Sequence, residues 1–243
     1  MTSSSSLSGE RDQLSRSSLR VGGLVPLSAT DYPDHLSAVV FFQGCPWRCT
    51  YCHNPHLLPR RGASEIAWED VIAFLERRRG LLDAVVFSGG EPTLQPALVD
   101  AARVMKALGY AIGLHTAGMH PARLAAVLPL LDWIGMDIKT EFSRYVSVTG
   151  VPGSGERARR SVELILASGV PHEFRTTVHA GLVPPDAVER IADTLSVRKA
   201  RCYVLQACRS RTANPSTANP SHLDTSLLQR CAARFESFSV RGW

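Results

Sequence analysis

Long apolar runs are missing from this chain of 243 residues: no stretch of about 18 uncharged apolar residues occurs, so no segment is fit to span a membrane. The Ser-rich start, with Arg11, Arg16 and Arg20, also lacks the apolar stretch of a secretory signal. Residues 1–20 bury too little apolar surface to offset their ordering entropy and are expected to form a disordered tail. Rings do not alternate with the basic residues. The runs Arg77-Arg78-Arg79 and Arg159-Arg160, which carry much of the net charge of +5, therefore suggest solvated helix faces, and no nucleic-acid partner is expected. Cysteine is sparse, six in all, and Cys202, Cys208 and Cys231 are scattered and best taken as ordinary buried or loop residues. Without a signal segment this usage argues against a disulfide framework and for a reducing, cytoplasmic setting. What remains, 44% hydrophobic and 20% charged, suffices for one sizeable core.

Six β-rich runs recur at Leu36–Gln43, Leu82–Phe87, Tyr110–His115, Trp133–Ile138, His172–Val178 and Arg201–Gln206. They are nearly continuous in Val, Ile, Phe, Leu and Tyr, as strands covered on both faces should be. Helical periodicity follows each, near 65–79, 94–108, 121–128, 155–168, 185–195 and 223–235. Leu94, Leu98, Ala101, Ala102, Met105 and Leu108 would form one apolar face. This alternation predicts an α/β fold of right-handed units on a parallel sheet, either an open doubly wound sheet or a partial barrel. The chemically distinctive residues fall at strand C-terminal ends, where both architectures place their sites. Thr212–Ser216 reads TANPS and Thr217–Ser221 repeats it, which predicts a loop insertion near 210–221.

The other three cysteines, Cys45, Cys49 and Cys52, stand in a CxxxCxxC loop directly after the first strand. Such a loop can reach three irons of a 4Fe–4S cubane and leave the fourth open for a ligand. A zinc site completed by His53 is the alternative from another class, that of a zinc-binding interaction protein. Neighbouring ligands close a tetrahedron awkwardly, and there is no second ligand pair. The loop, with aromatic Tyr51 before the third cysteine, resembles the radical S-adenosylmethionine (SAM) superfamily. The resemblance implies that the open iron chelates SAM and that one electron from the cluster releases a 5′-deoxyadenosyl radical. It also implies a partial (β/α)6 barrel over 21–243, with Tyr51 near the adenine.

Four further strand ends fit the same pattern. Ser88-Gly89-Gly90-Glu91-Pro92 looks like the superfamily's GGEP motif. Its glycines would let backbone approach a ligand, and Glu91 would help hold the turn. His115-Thr116-Ala117-Gly118 resembles a Thr-Asn-Gly stretch of glycyl-radical activases near the SAM ribose, although Ala117 replaces the Asn; His115 equally suits a satisfied strand-end histidine. Asp137 and Lys139, in Met136-Asp137-Ile138-Lys139, match a stretch facing the SAM and peptide sites in those relatives, while a surface salt bridge would also account for Lys139. In the fifth strand, alternation puts Arg175 and Thr177 on one side and Thr176 on the other. His179 falls where activases are expected to contact SAM, or is a plain loop histidine.

The likeness narrows further. Gly23-Leu24-Val25-Pro26, Thr30-Asp31-Tyr32-Pro33, Gln43-Gly44-Cys45-Pro46-Trp47-Arg48-Cys49, Cys52-His53-Asn54-Pro55, Tyr145 with Val148-Thr149-Gly150, and Arg175-Thr176-Thr177 resemble the anaerobic ribonucleoside-triphosphate reductase activating proteins, over about 21–210. What this implies is hydrogen abstraction from a glycine of a partner glycyl-radical enzyme, with a flavodoxin- or ferredoxin-like electron donor. No further cysteine cluster lies between Cys52 and Gly89, so a single cluster is expected. A radical SAM enzyme acting on a small molecule or peptide is the nearer alternative; Gln206-Ala207-Cys208 departs from the activase pattern.

Overall fold

A computed structural model describes residues 19–179, 181–208 and 223–242. The repeated TANPS segment lies outside them, as does the proposed tail except for its last two residues. Those two belong to the fold. Leu19 is buried, the Arg20 amide donates to Gln95 Oε1 at 3.2 Å, and the Arg20 carbonyl accepts from the Gln43 amide at 2.8 Å. Leu19 and Arg20, assigned to the tail from the sequence, therefore pack on the fold.

The chain divides into two compact units. The first comprises the described residues up to Pro46 together with His56–Thr116 and Ala122–Ile134. Here β1 (Val21–Ser28) runs antiparallel to β2 (Ser37–Phe42), and β2, β3 (Ala84–Gly89) and β4 (Ala111–Thr116) follow in parallel. The start of β5 (Trp133–Asp137) joins β4 through the Asp132 amide, which donates to the Ile112 carbonyl at 2.9 Å. The strands are covered on both faces, as their continuous apolar runs require. On one face lie α1 (Trp68–Glu76) and α2 (Leu98–Ala107), which bury Val71, Ile72, Leu75, Ala101, Ala102 and Met105. On the other, Tyr32 from the β1–β2 connection packs with Val39, Ala84, Val86 and Trp133. The short helix α3 (Pro121–Val127) leads towards β5.

The second unit comprises Trp47–Pro55, Ala117–Pro121 and the described residues from Gly135 onward. The end of β5 meets β6 (His172–Val178), with the Ile138 amide donating to the Arg175 carbonyl at 2.7 Å. Parallel pairing continues through β7 (Cys202–Ala207) to β8 (Ser237–Arg241). Among the described residues, α4 (Tyr145–Thr149), α5 (Ser154–Ser168), α6 (Pro185–Val197) and α7 (Thr225–Ala232) accompany these strands. Tyr203 on β7 donates its hydroxyl to Thr176 Oγ1 at 2.9 Å, so Thr176 faces away from Arg175, as alternation requires.

All six expected strands form, with ends shifted by up to two residues. Two strands and one helix had no sequence signal. The segment of β1, VGGLVPLS, carries two glycines and a proline, a composition that disfavours strand. The β8 segment is short, and three of its five positions are polar. The five residues of α4 are too few for periodicity to register.

Candidate functional site

In the first unit, β2 runs directly into the cysteine loop. The Gly44 amide donates to the Leu57 carbonyl at 2.8 Å and the Cys45 amide to the Leu58 carbonyl at 3.1 Å. Buried Gln43 fastens the returning chain, its Nε2 donating to Pro59 O at 2.6 Å and His56 O at 3.2 Å. Gln95 Nε2 donates in turn to the Gln43 carbonyl at 2.8 Å. Gly44 sits at φ +100°, a conformation that favours glycine.

The end of β3 packs on the same stretch. The Gly90 amide donates to Phe42 O at 2.9 Å and the Glu91 amide to Gly44 O at 3.0 Å. A Cβ on Gly90 would lie 2.4 Å from the Gly44 carbonyl oxygen, and one on Gly89, at φ +121°, 2.3 Å from the Phe42 nitrogen. Close approach is thus the reason for both glycines, and within this unit the approaching partner is the chain's own cysteine-loop lead-in. Glu91 is fully buried. Its Oε1 accepts from the Thr93 amide at 3.0 Å, the Thr93 hydroxyl and the Thr116 hydroxyl at 2.7 Å, joining the ends of β3 and β4. Ser88 is half-buried on the strand before this turn. His115 Nε2 donates to the Asp31 carbonyl at 2.9 Å, which makes it a hydrogen-bonded strand-end histidine.

In the second unit, Cys49, Tyr51 and Cys52 follow Trp47, which is buried against the edge of Tyr145 with ring centroids 5.9 Å apart. The Arg48 amide donates to the Thr149 carbonyl at 2.9 Å, so α4 holds this half of the loop. Lys139 is gripped from several sides. Its amide donates to the Tyr145 hydroxyl at 3.0 Å, its carbonyl accepts from Tyr51 at 3.3 Å, and its Nζ donates to Asp137 Oδ2 at 2.9 Å. The ammonium also stands 5.9 Å from the Tyr51 ring centroid. Burial alone would lower the Lys139 pKa, but Asp137 and the neighbouring Tyr51 and Cys49 outweigh it and hold the value well above the ordinary range. Lys139 is therefore a fixed cation. Burial raises the Cys49 thiol, and Lys139 offsets this in part.

Arg175 Nε donates to Asp137 Oδ1 at 3.0 Å, so Asp137 lies between two cations. Gln206 Nε2 donates to Thr177 Oγ1 at 2.8 Å on the same face of β6. The His179 ring lies roughly parallel to Tyr51, centroids 6.2 Å apart, while its carbonyl accepts the Leu182 and Val183 amides. Cys208, expected to be an ordinary cysteine, packs in one apolar cluster with Tyr51 and Val148, with Cys49 against it. The structure thus joins Thr116 to Glu91 in one unit, and Tyr51, Asp137, Lys139, Arg175 and His179 in the other. Sequence reasoning passed over Gln95, Glu173 and Arg241, and gave Gln43, Trp47 and Tyr145 no geometric role.

Among the described residues, no three His, Cys, Asp or Glu side chains converge as a preformed metal site. The donor chemistry of the loop nevertheless fits an iron–sulfur cluster: three thiols within eight residues, all partly accessible and none in a disulfide.

Residues 39–197 match the Radical SAM superfamily, a span that exceeds half of the chain and contains every candidate residue from Cys45 to His179. The chain belongs to the radical SAM superfamily. It is 33% identical over 202 residues to a putative glycyl-radical enzyme activating enzyme of Methanocaldococcus jannaschii, covering 79% of this chain and 81% of that protein. With the pyruvate formate-lyase-activating enzyme of Clostridium pasteurianum it shares 34% identity over 137 residues, 54% of this chain and 57% of the relative. SuiB of Streptococcus suis, solved bound to S-adenosylmethionine, superposes with a TM-score of 0.60 at 15% identity, over 82% of this chain and 48% of SuiB. That last likeness is one of fold: α/β with parallel strands, the radical SAM type that the sequence led us to expect. This radical SAM enzyme is thus of a superfamily whose cofactors are a 4Fe–4S cluster and SAM.

Proposed function

We propose that this radical SAM enzyme activates a glycyl-radical enzyme, with an anaerobic ribonucleoside-triphosphate reductase as its partner. The observation that carries the activase reading is the 33% identity to a putative activating enzyme across four-fifths of both chains. The choice of the reductase rests on the lead-in Thr30-Asp31-Tyr32-Pro33, the loop Gly44-Cys45-Pro46-Trp47-Arg48-Cys49 and the Tyr145 to Gly150 segment. The reaction is placed in the cytoplasm, with a flavodoxin- or ferredoxin-like protein as electron donor. No helix among the described residues is long and apolar enough to cross a membrane.

Cys45, Cys49 and Cys52 would hold the cluster, which when bound supplies SAM with one electron and so the power to abstract a hydrogen atom. Every other task falls to this chain. Ser88, Gly89, Gly90 and Glu91 would form the backbone wall towards the SAM methionine, with Glu91 and Thr116 fixing the turn. Asp137, a carboxylate held between Lys139 and Arg175, suits an ammonium or hydroxyl donor of SAM; the two cations suit its carboxylate. Tyr51 and His179, already roughly parallel, offer an aromatic face to adenine.

The test is an anaerobic electron paramagnetic resonance experiment on the reconstituted, reduced protein with SAM and the reductase, with deoxyadenosine assayed in the same tube. A glycyl doublet on the reductase is the expected result. Deoxyadenosine without the doublet would keep the chemistry and move the substrate to a small molecule or peptide. Neither product, from protein loaded with cluster, would overturn the assignment.

A further inference from the structure

The face of β6 that carries Arg175 also carries Glu173, and β8 supplies a residue that no sequence pattern pointed to. Glu173 is 3% exposed. A carboxylate at that depth is costly unless paired and hydrogen-bonded. Arg241 meets it with a two-pronged contact, NH1 to Oε1 at 2.9 Å and NH2 to Oε2 at 2.8 Å. Arg175 approaches the same carboxylate only to 3.8 Å. Its short contact is to Asp137, whose other oxygen takes Lys139. The result is a line of alternating charge, Lys139–Asp137–Arg175–Glu173–Arg241, running from the candidate SAM residues to the C-terminal strand.

We propose that Arg241 and Glu173 are positioning residues, setting Arg175 and through it Asp137 and Lys139 for SAM; this rests on the functional reading above. With Glu173 satisfied by Arg241, the Arg175 guanidinium is free to turn its Nε to Asp137. Without Arg241, Glu173 would have Arg175 as its nearest cation. At 3.8 Å that pull would act on a guanidinium whose carboxylate partner Asp137 is already shared with Lys139, and would draw Arg175 away from its present contact. Asp137 would then lose its short contact with Arg175. Glu173 is the source of the competing pull, so neutralising it should remove the need for Arg241.

The experiment compares wild type, Arg241→Met, Arg241→Lys and the double variant Glu173→Gln/Arg241→Met. Two quantities are read. The first is SAM affinity of the cluster-loaded protein by calorimetry. The second is the Arg175 Nε–H resonance in cluster-free protein, which needs no cofactor. Arg241→Met should move the resonance and weaken SAM binding by about tenfold, a typical cost for a misplaced charged contact. The double variant should recover most of that loss, and Arg241→Lys part of it. An unmoved resonance in Arg241→Met would overturn the coupling. A moved resonance with unchanged SAM affinity, or a lower melting temperature alone, would reduce the pair to a structural role and overturn the proposal. Should Arg241→Met not fold, the double variant decides: wild-type affinity and resonance support the proposal, and tenfold weaker binding overturns it. Wild-type protein that takes up the cluster yet binds no SAM would overturn the functional reading instead, while the resonance would still report the coupling.

Discussion

At the level of single residues, two glycines and one glutamate show why a motif read as ligand-binding is also a packing device. Gly89 and Gly90 were expected to let backbone approach a ligand. Their missing side chains are required by Phe42 and Gly44, whose backbone atoms stand 2.3–2.4 Å from where each Cβ would be. Such a clash is with backbone, which cannot swing aside. Gly90→Ala should therefore destabilise the fold by about 1–3 kcal/mol, the usual cost of overpacking, and lower iron uptake, because the displaced carbonyl belongs to the residue before Cys45. Urea titration and iron analysis would check this; wild-type stability with weaker SAM binding would restore the ligand explanation. Glu91 makes the opposite kind of case, since its expected role in the turn is what the geometry shows. Three donors, the Thr93 amide and the Thr93 and Thr116 hydroxyls, converge on one buried oxygen. Glu91→Gln keeps the shape but halves the acceptor capacity and removes the charge, with an expected loss of about 1–3 kcal/mol. A midpoint shift in urea with an unchanged slope would be its signature.

The elements differ in how plainly the chain announces them. The six expected strands were legible because burial on both faces demands continuous apolar runs, and the helices beside them because one face must be apolar every third or fourth residue. The cysteine loop and the turns at Gly89-Gly90 and Asp137–Lys139 were legible for another reason: each places uncommon residue types at a strand's C-terminal end. What escaped was built from contacts distant in sequence. β1 gives no alternation, and Arg241 pairs with a glutamate 68 positions earlier. The short helix α4 was visible only as a resemblance, yet it organises the second unit. Tyr145 braces Trp47 with its ring edge and accepts the Lys139 amide, while Thr149 O receives the Arg48 amide. Gly150, at φ +68°, ends the helix in the left-handed conformation that lets the chain turn away. Tyr145→Phe keeps the ring and deletes the acceptor, leaving the Lys139 N–H without the bond it has now. We expect a loss of about 1–2 kcal/mol. Amide exchange at Lys139 should accelerate more than at Met136 within β5, and equal acceleration at both would indicate general loosening instead.

For the whole molecule, the question is whether a metal centre builds the fold or is added to one already built. A chain of the zinc-finger kind lacks a sufficient core and unfolds when its metal is removed. This chain has a core in each unit that owes nothing to the cysteines: Tyr32, Val39, Ala84, Val86 and Trp133 in the first, and Phe174, Tyr203, Val204 and Leu205 among the fully buried residues of the second. Even the loop is fastened without metal. Gly44 and Cys45 bond to Leu57 and Leu58, Arg48 bonds to Thr149, and the Cys52 amide donates to Cys49 O at 3.1 Å. Cluster removal by an oxidant and chelator should thus leave the far-ultraviolet dichroism and a single cooperative melt in place. Whatever binds only the native state must stabilise it, so the melting temperature should fall by a few degrees rather than vanish. Hydrogen exchange should rise mainly over residues 45–53, where the thiols lose their shared partner. Loss of the cooperative melt would instead make the metal a structural element and revive the zinc reading. Persistence of the melt, with brown colour returning on reconstitution with iron and sulfide, would show a scaffold that stands ready for its cofactor and spends none of the cofactor's binding energy on folding.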